Sequence, residues 1–171
     1  MANPGTVRRF TPPTGGLIAG PRLRCDSLSN GLTLRLTRTI PAPRPAVWEA
    51  MTDPGLLARW WGPQGFSCPS VDFEPQVGDR YRIAMQPPEG EAFHLEGEFR
   101  EVERPARLSY TFIWEPPDPD DRETVVSISL EDCGESTEVS LTQRDFATEG
   151  RRALHDEGWN EALDRLGALL S

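Results

Sequence analysis

The chain has 171 residues and a formal charge of −9, divided so that residues 1–44 hold seven arginines against one acid, Asp26, while 45–171 hold eleven against twenty-six acids. A domain of that size buries roughly 70% of its unfolded surface, and its acidic body excludes general binding to nucleic acid or to anionic membranes, which need a basic footprint. No lysine occurs, so chemistry that requires a lysine amine, such as a Schiff base, a pyridoxal anchor or a P-loop, is excluded.

Residues 1–30, rich in Pro, Gly and Thr with an Arg8-Arg9 pair, read as a poorly ordered extension or a docking arm. Leu23–Cys25 is a short strand candidate ahead of an Asn30-Gly31 hairpin turn. The folded domain is read as 31–171. Leu32, Leu34 and Leu36 alternate with Thr33 and Arg35, which predicts a strand over 32–40. Val47, Ala50 and Met51 then recur at helical spacing, with Pro45 in the first turn, where its missing N–H costs nothing. Asp53 is a good N-cap for a second short helix that has Pro54 at its first position, Leu56, Leu57, Trp60 and Trp61 on its apolar face, and Gly62-Pro63 at its end.

Six further strands are predicted over 66–74, 78–86, 93–102, 108–114, 124–131 and 137–145, separated by turn residues. Connections this short force antiparallel neighbours. The last element is a long helix over 149–170, whose stripe of Trp159, Ala162, Leu163, Leu166 and Leu170 is apolar. Seven strands with one long and two short helices on one face form an α+β layout. A twisted sheet curling round a helix about 10–12 Å across is not filled at every point, so an internal cavity is expected.

Three stretches carry a family resemblance: TRTIPAPRPAVWEAMTDPGLLARWWGP at 37–63, VDFEPQVGDRYRIAMQPPEG at 71–90 and HDEGWNEALDRLGALL at 155–170. Their order and spacing resemble the START-like (SRPBCC, Bet v 1-type) helix-grip superfamily, and within it the group named after the activator of Hsp90 ATPase, homologue-1-like. The resemblance spans 32–171. It implies a β-α-α-β6-α domain with a curved seven-stranded sheet, a pocket between sheet and C-terminal helix, and often a histidine at the position Gln143 occupies here. The superfold hosts carriers, cyclases and co-chaperone domains alike.

Trp60 and Trp61 are candidates for the rim of such a pocket, or for a seal between the helix pair and the sheet. Tyr81, Ile83, Met85, Phe112, Trp114, Trp159 and Leu163 either line a cavity or form ordinary core; periodicity does not separate the two. The polar candidates are His94, Glu98 and His155. Glu96 and Glu98 share one strand face, with Glu101 on the opposite face beside Phe99. The two histidines lack metal-binding spacing, no serine lies in a GxSxG context, and Cys25, Cys68 and Cys133 form neither a disulfide framework nor a zinc motif. No catalytic residue, metal or cofactor is therefore assigned. Asp118, Asp120, Asp121 and Glu123 lie in the Pro-broken loop EPPDPDDRE, which lacks the glycine and the terminal-glutamate spacing of an EF-hand and reads as a flexible acidic hairpin loop.

The expectation is a cytoplasmic domain, without membrane insertion, that encloses an apolar or amphipathic small molecule, lipid-like or polyketide-like. A pocket enzyme of the cyclase or hydrolase type, and a protein-interaction module acting on an Hsp90-type ATPase, are the alternatives. A homodimer and a protein partner are left open.

Overall fold

The computed structural model describes residues 32–171; the extension 1–30, the Leu23–Cys25 strand and the Asn30-Gly31 turn lie outside them. The chain runs β1 (Leu32–Ile40), α1 (Arg44–Thr52), α2 (Pro54–Trp60), β2 (Ser67–Asp72), β3 (Arg80–Gln86), β4 (Phe93–Glu103), β5 (Arg107–Glu115), β6 (Thr124–Asp132), β7 (Thr137–Phe146) and α3 (Glu149–Leu170). One seven-stranded sheet forms in the order β1-β7-β6-β5-β4-β3-β2. All neighbours are antiparallel. Hairpins make every pairing except β1 with β7, which joins the first strand to the last.

Asp53 ends one helix and begins the next. Its backbone N–H donates to Glu49 O at 2.8 Å, and its carboxylate accepts from the N–H of Leu56 at 3.0 Å. The indole N–H of Trp60 donates to Ala50 O at 2.8 Å, locking the two short helices together in the core. Helix α3 lies against β1, where Arg38 pairs with Asp164 and donates to Asn160 Oδ1 at 3.1 Å.

The strands β3, β4 and β5 have two differently filled ends. At one end Phe73, Tyr81, Phe99 and Tyr110 interlock, with ring centroids from 4.9 Å (Phe73–Phe99) to 6.2 Å (Phe99–Tyr110) apart. Tyr81 pairs with Gly97 across the β3–β4 ladder and reaches over it to donate its hydroxyl to Thr111 O at 2.5 Å. A side chain on Gly97 would place its Cβ 1.9 Å from that same oxygen, so only glycine fits. Such an edge-on aromatic cluster is dense core. The other end of these strands carries Met85, Phe93, Phe112 and Trp114.

A register shift between Phe99 and Glu101 in β4 changes one expectation from the sequence. The extra residue moves Glu101 out of line with buried Phe99, and Glu101 is exposed. Simple alternation through 93–102 had put the two on one face.

Candidate functional site

Between the sheet and the first half of α3 lies an apolar cavity of about 180 Å³, open on one side. Helix α3 supplies Leu154, His155, Gly158, Trp159 and Ala162, and the sheet supplies Met85, Phe93, Phe112 and Trp114. The turn after α2 supplies Trp61, Gly62, Pro63 and Phe66.

The turn is held from α3. The Arg165 guanidinium donates to the carbonyls of Trp61, Gly62 and Pro63 at 3.0 to 3.1 Å, and to Arg59 O at 3.1 Å. A cation on these carbonyls at the end of α2 satisfies acceptors that have no partner within the helix. The backbone N–H of Gln64 adds a bond to Glu161 Oε2 at 3.1 Å. Trp61 is thereby set edge-on to Trp159, with ring centroids 5.2 Å apart.

His155 is the titratable side chain in the wall. Its Nε2 accepts from the indole N–H of Trp114 at 3.1 Å, and its ring meets those of Phe112, Trp114 and Phe146 at centroid distances of 5.2, 5.7 and 5.0 Å. Burial, and then the charge of Arg151, lower its pKa to about 4. The imidazole is therefore neutral, with its proton on Nδ1 because Nε2 is an acceptor.

One turn before His155, Arg151 faces inward and meets the acidic loop. It pairs with Asp118, with Asp120 Oδ1 at 2.9 Å and with Asp121 Oδ1 at 3.2 Å. The loop read as a flexible acidic hairpin is thus tied to α3, and its carboxylates serve an internal arginine. Among the described residues, no group of three or more His, Cys, Asp or Glu side chains is placed to hold a metal ion.

Gln143, where the resemblance implies a frequent histidine, is fully buried and joins α3 to the sheet. Its Oε1 accepts from the indole N–H of Trp159 at 2.8 Å, and its amide donates to Thr124 Oγ1 at 2.8 Å. Thr124 passes the chain on to Phe112 O at 3.2 Å. With both ends of the amide engaged, Gln143 positions Trp159 and is not available to a ligand.

Of the residues expected at the pocket, Trp61, Met85, Phe112, Trp114, Trp159 and His155 are brought together in its wall. Trp60, Tyr81, Ile83 and Leu163 are not. Trp60 is turned into the α1–α2 contact, Tyr81 belongs to the aromatic cluster at the far end of β3, and Ile83 and Leu163 are closed core. His94 and Glu98 lie on the other face of β4 from the inward Phe93, Leu95, Gly97 and Phe99, and so point away from α3. Phe66, Phe93, Leu154 and Gly158 line the pocket without having been singled out. Gly158 carried a usable signal, since glycine inside a helix costs about 1 kcal/mol relative to alanine and suggests that space is needed there. Cys68, beside the turn, has its thiol pushed up to about 11 by burial, so it is a poor nucleophile.

A wider cleft of about 390 Å³ lies at the junction of α1 and α2, lined by Glu49, Asp53, Glu74 and Arg104 among others. Its wall mixes carboxylates with one guanidinium. It lacks the continuous apolar surface of a small-molecule site.

An antiparallel sheet gripping one long helix, with an apolar cavity between them, defines a START-like helix-grip domain. Residues 41–171 match the family described as Activator of Hsp90 ATPase homolog 1-like protein, and the chain belongs to that family. Among solved structures it is similar to a Chromobacterium violaceum protein, at 27% identity and TM-score 0.72 over 81% of this chain and 96% of that one. The AHSA1 protein of Silicibacter pomeroyi is similar at 28% identity and TM-score 0.72, over 81% and 97%. A Nitrosomonas europaea protein is similar at 29% identity and TM-score 0.69, over 81% and 94%. No curated protein matches the chain. Among the described residues no helix is long and apolar enough to cross a membrane.

Proposed function

We propose that the domain binds a small molecule through an apolar ring or short alkyl group seated between Trp61, Trp114 and Trp159. The observation that carries this reading is the cavity of about 180 Å³, whose wall is aromatic and aliphatic apart from His155. Its volume narrows the ligand. A dry cavity of about 150 Å³ admits benzene, whereas sites enclosing a drug-sized molecule run to about 300–1,000 Å³. A whole lipid or a multi-ring polyketide is therefore too large to be enclosed. The bound molecule inserts one apolar group and leaves its remainder at the open side beside Leu154.

Three of the five tryptophans stand in the wall, so indole fluorescence reports occupancy directly. Titration of the full chain with single-ring aromatics and short-chain amphiphiles, checked by native mass spectrometry, is expected to give saturable one-to-one quenching. Absence of saturation across the panel, or quenching that persists when the cavity is filled by Gly158→Leu, would overturn the reading.

Catalysis finds little support in the same geometry. Its candidate in the wall, His155, has Nε2 occupied by Trp114, has no carboxylate to orient it and is a weak base near neutral pH. A chaperone partner, which the family description suggests, has no observation of this chain's own behind it.

A further inference from the structure

The cavity is an aromatic box. Neighbouring rings in its lining meet at steep angles: Trp61 and Trp159 at 80°, Phe112 and Trp114 at 87°, Phe66 and Phe93 at 79°. Rings set this way make corners, and a compact group inside meets walls of more than one orientation. The face of an aromatic ring carries negative quadrupole density and attracts cations, tryptophan most strongly.

The charged groups lie behind this wall. Phe112, Trp114 and His155 form one side of the cavity, and Asp120, Asp121, Arg122 and Arg151 line a void of about 10 Å³ behind those same three side chains. There Arg151 pairs with Asp118, Asp120 and Asp121, and Arg122 donates to the backbone carbonyl of Asp145. No arginine enters the lining. Arg151, Arg165 and Arg122, which lie around it, are engaged by carboxylates and by backbone carbonyls. A carboxylate or phosphate in the cavity would lose its water and find no cation in return. An alkylated ammonium, which has no N–H to leave unsatisfied, would find ring faces.

We propose that the pocket formed by Trp61, Phe93, Phe112, Trp114 and Trp159 is a cage for an organic cation, a fully alkylated ammonium group carried on an apolar molecule. This rests on the small-molecule reading above and specifies the charge of the ligand.

The test compares phenyltrimethylammonium with its uncharged isostere tert-butylbenzene and with benzoate, each titrated into the full chain. The cation is expected to bind roughly three- to tenfold tighter than the isostere, with benzoate weakest. Global incorporation of fluorinated tryptophan keeps the shape of the rings and weakens the negative potential of their faces. It is expected to erase the preference for the cation while leaving tert-butylbenzene affinity within about twofold. If tert-butylbenzene binds as tightly as the cation, if benzoate binds tighter, or if fluorination leaves the preference intact, the cage is overturned and the apolar-binding reading stands. If no probe binds, both are overturned.

Discussion

The indole N–H of Trp114 donates to Nε2 of His155 at 3.1 Å, joining the most aromatic strand to the long helix across the cavity wall. That bond exists only while the imidazole is neutral, because a protonated ring has a donor at both nitrogens. Protonating His155 therefore opposes a structural contact as well as its burial.

A pH dependence of stability follows. His155 titrates near 4 in the fold against an ordinary 6.5, through burial first and Arg151 second. Above about 6.5 the imidazole is neutral in folded and unfolded chains alike and contributes no slope. Between 6.5 and 4 the unfolded chain takes up a proton that the fold refuses, so stability falls with falling pH by up to about 3 kcal/mol and then levels off. Urea unfolding across that window is expected to show this decline in the native chain and a shallower one in His155→Phe. Equal slopes in the two proteins would remove His155 as the cause.

Gly158 keeps the cavity open. A Cβ added there would lie 3.8 Å from Pro63 Cγ, an ordinary contact. Gly158→Ala is expected to stabilise the fold by up to about 1 kcal/mol through helix propensity. Gly158→Leu is expected to keep the melting temperature within a few degrees and to abolish ligand-induced quenching. Retained binding in the leucine variant would mean that the occupied site lies elsewhere.

Arg151 has a dual effect. Replacing it by leucine leaves Asp121, whose side chain is only 6% exposed, without its cation. A loss of about 2 kcal/mol is expected, below the range for a fully buried pair because Asp118 and Asp120 keep contact with water. The same change removes a repulsive charge from His155, so the imidazole titration followed by NMR should move upward. Loss of stability with no change in that titration would show that the arginine acts on the loop alone.

Gly97→Ala places a carbon against Thr111 O where the distance is 1.9 Å. A loss of at least about 3 kcal/mol is expected, with the strands forced apart at the Tyr81 crossing. Tyr81→Phe, which deletes only the hydroxyl bond to Thr111 O, should cost about 1 kcal/mol by the same denaturation assay. A mild glycine variant would mean that β4 and β5 separate readily at this point.

The elements were legible because their signals are local. The leucine alternation before Pro41 and the stripe from Trp159 to Leu170 gave β1 and α3 their observed limits. Asp53-Pro54 marked the break between α1 and α2 through capping chemistry that needs no distant partner. Short turns made the sheet antiparallel. The register shift after Phe99 was not legible, since a bulge shows itself only in the partner strand.

The site divides along the same line. Alternation assigned Tyr81 and Met85 to one face of β3, but it says nothing of position along that face; one entered closed core and the other the cavity. Trp60 and Trp61 are adjacent in the chain and indistinguishable by composition. The first found Ala50 O and the second found Trp159. Arg151 and His155 are polar by sequence and yet face inward on α3, because Asp118, Asp120 and Asp121 from one loop and Trp114 from β5 meet them there. Local chemistry settles which residues share a face. A cavity arises where faces from distant elements fail to fill the space between them, and that depends on the positions of all of them together.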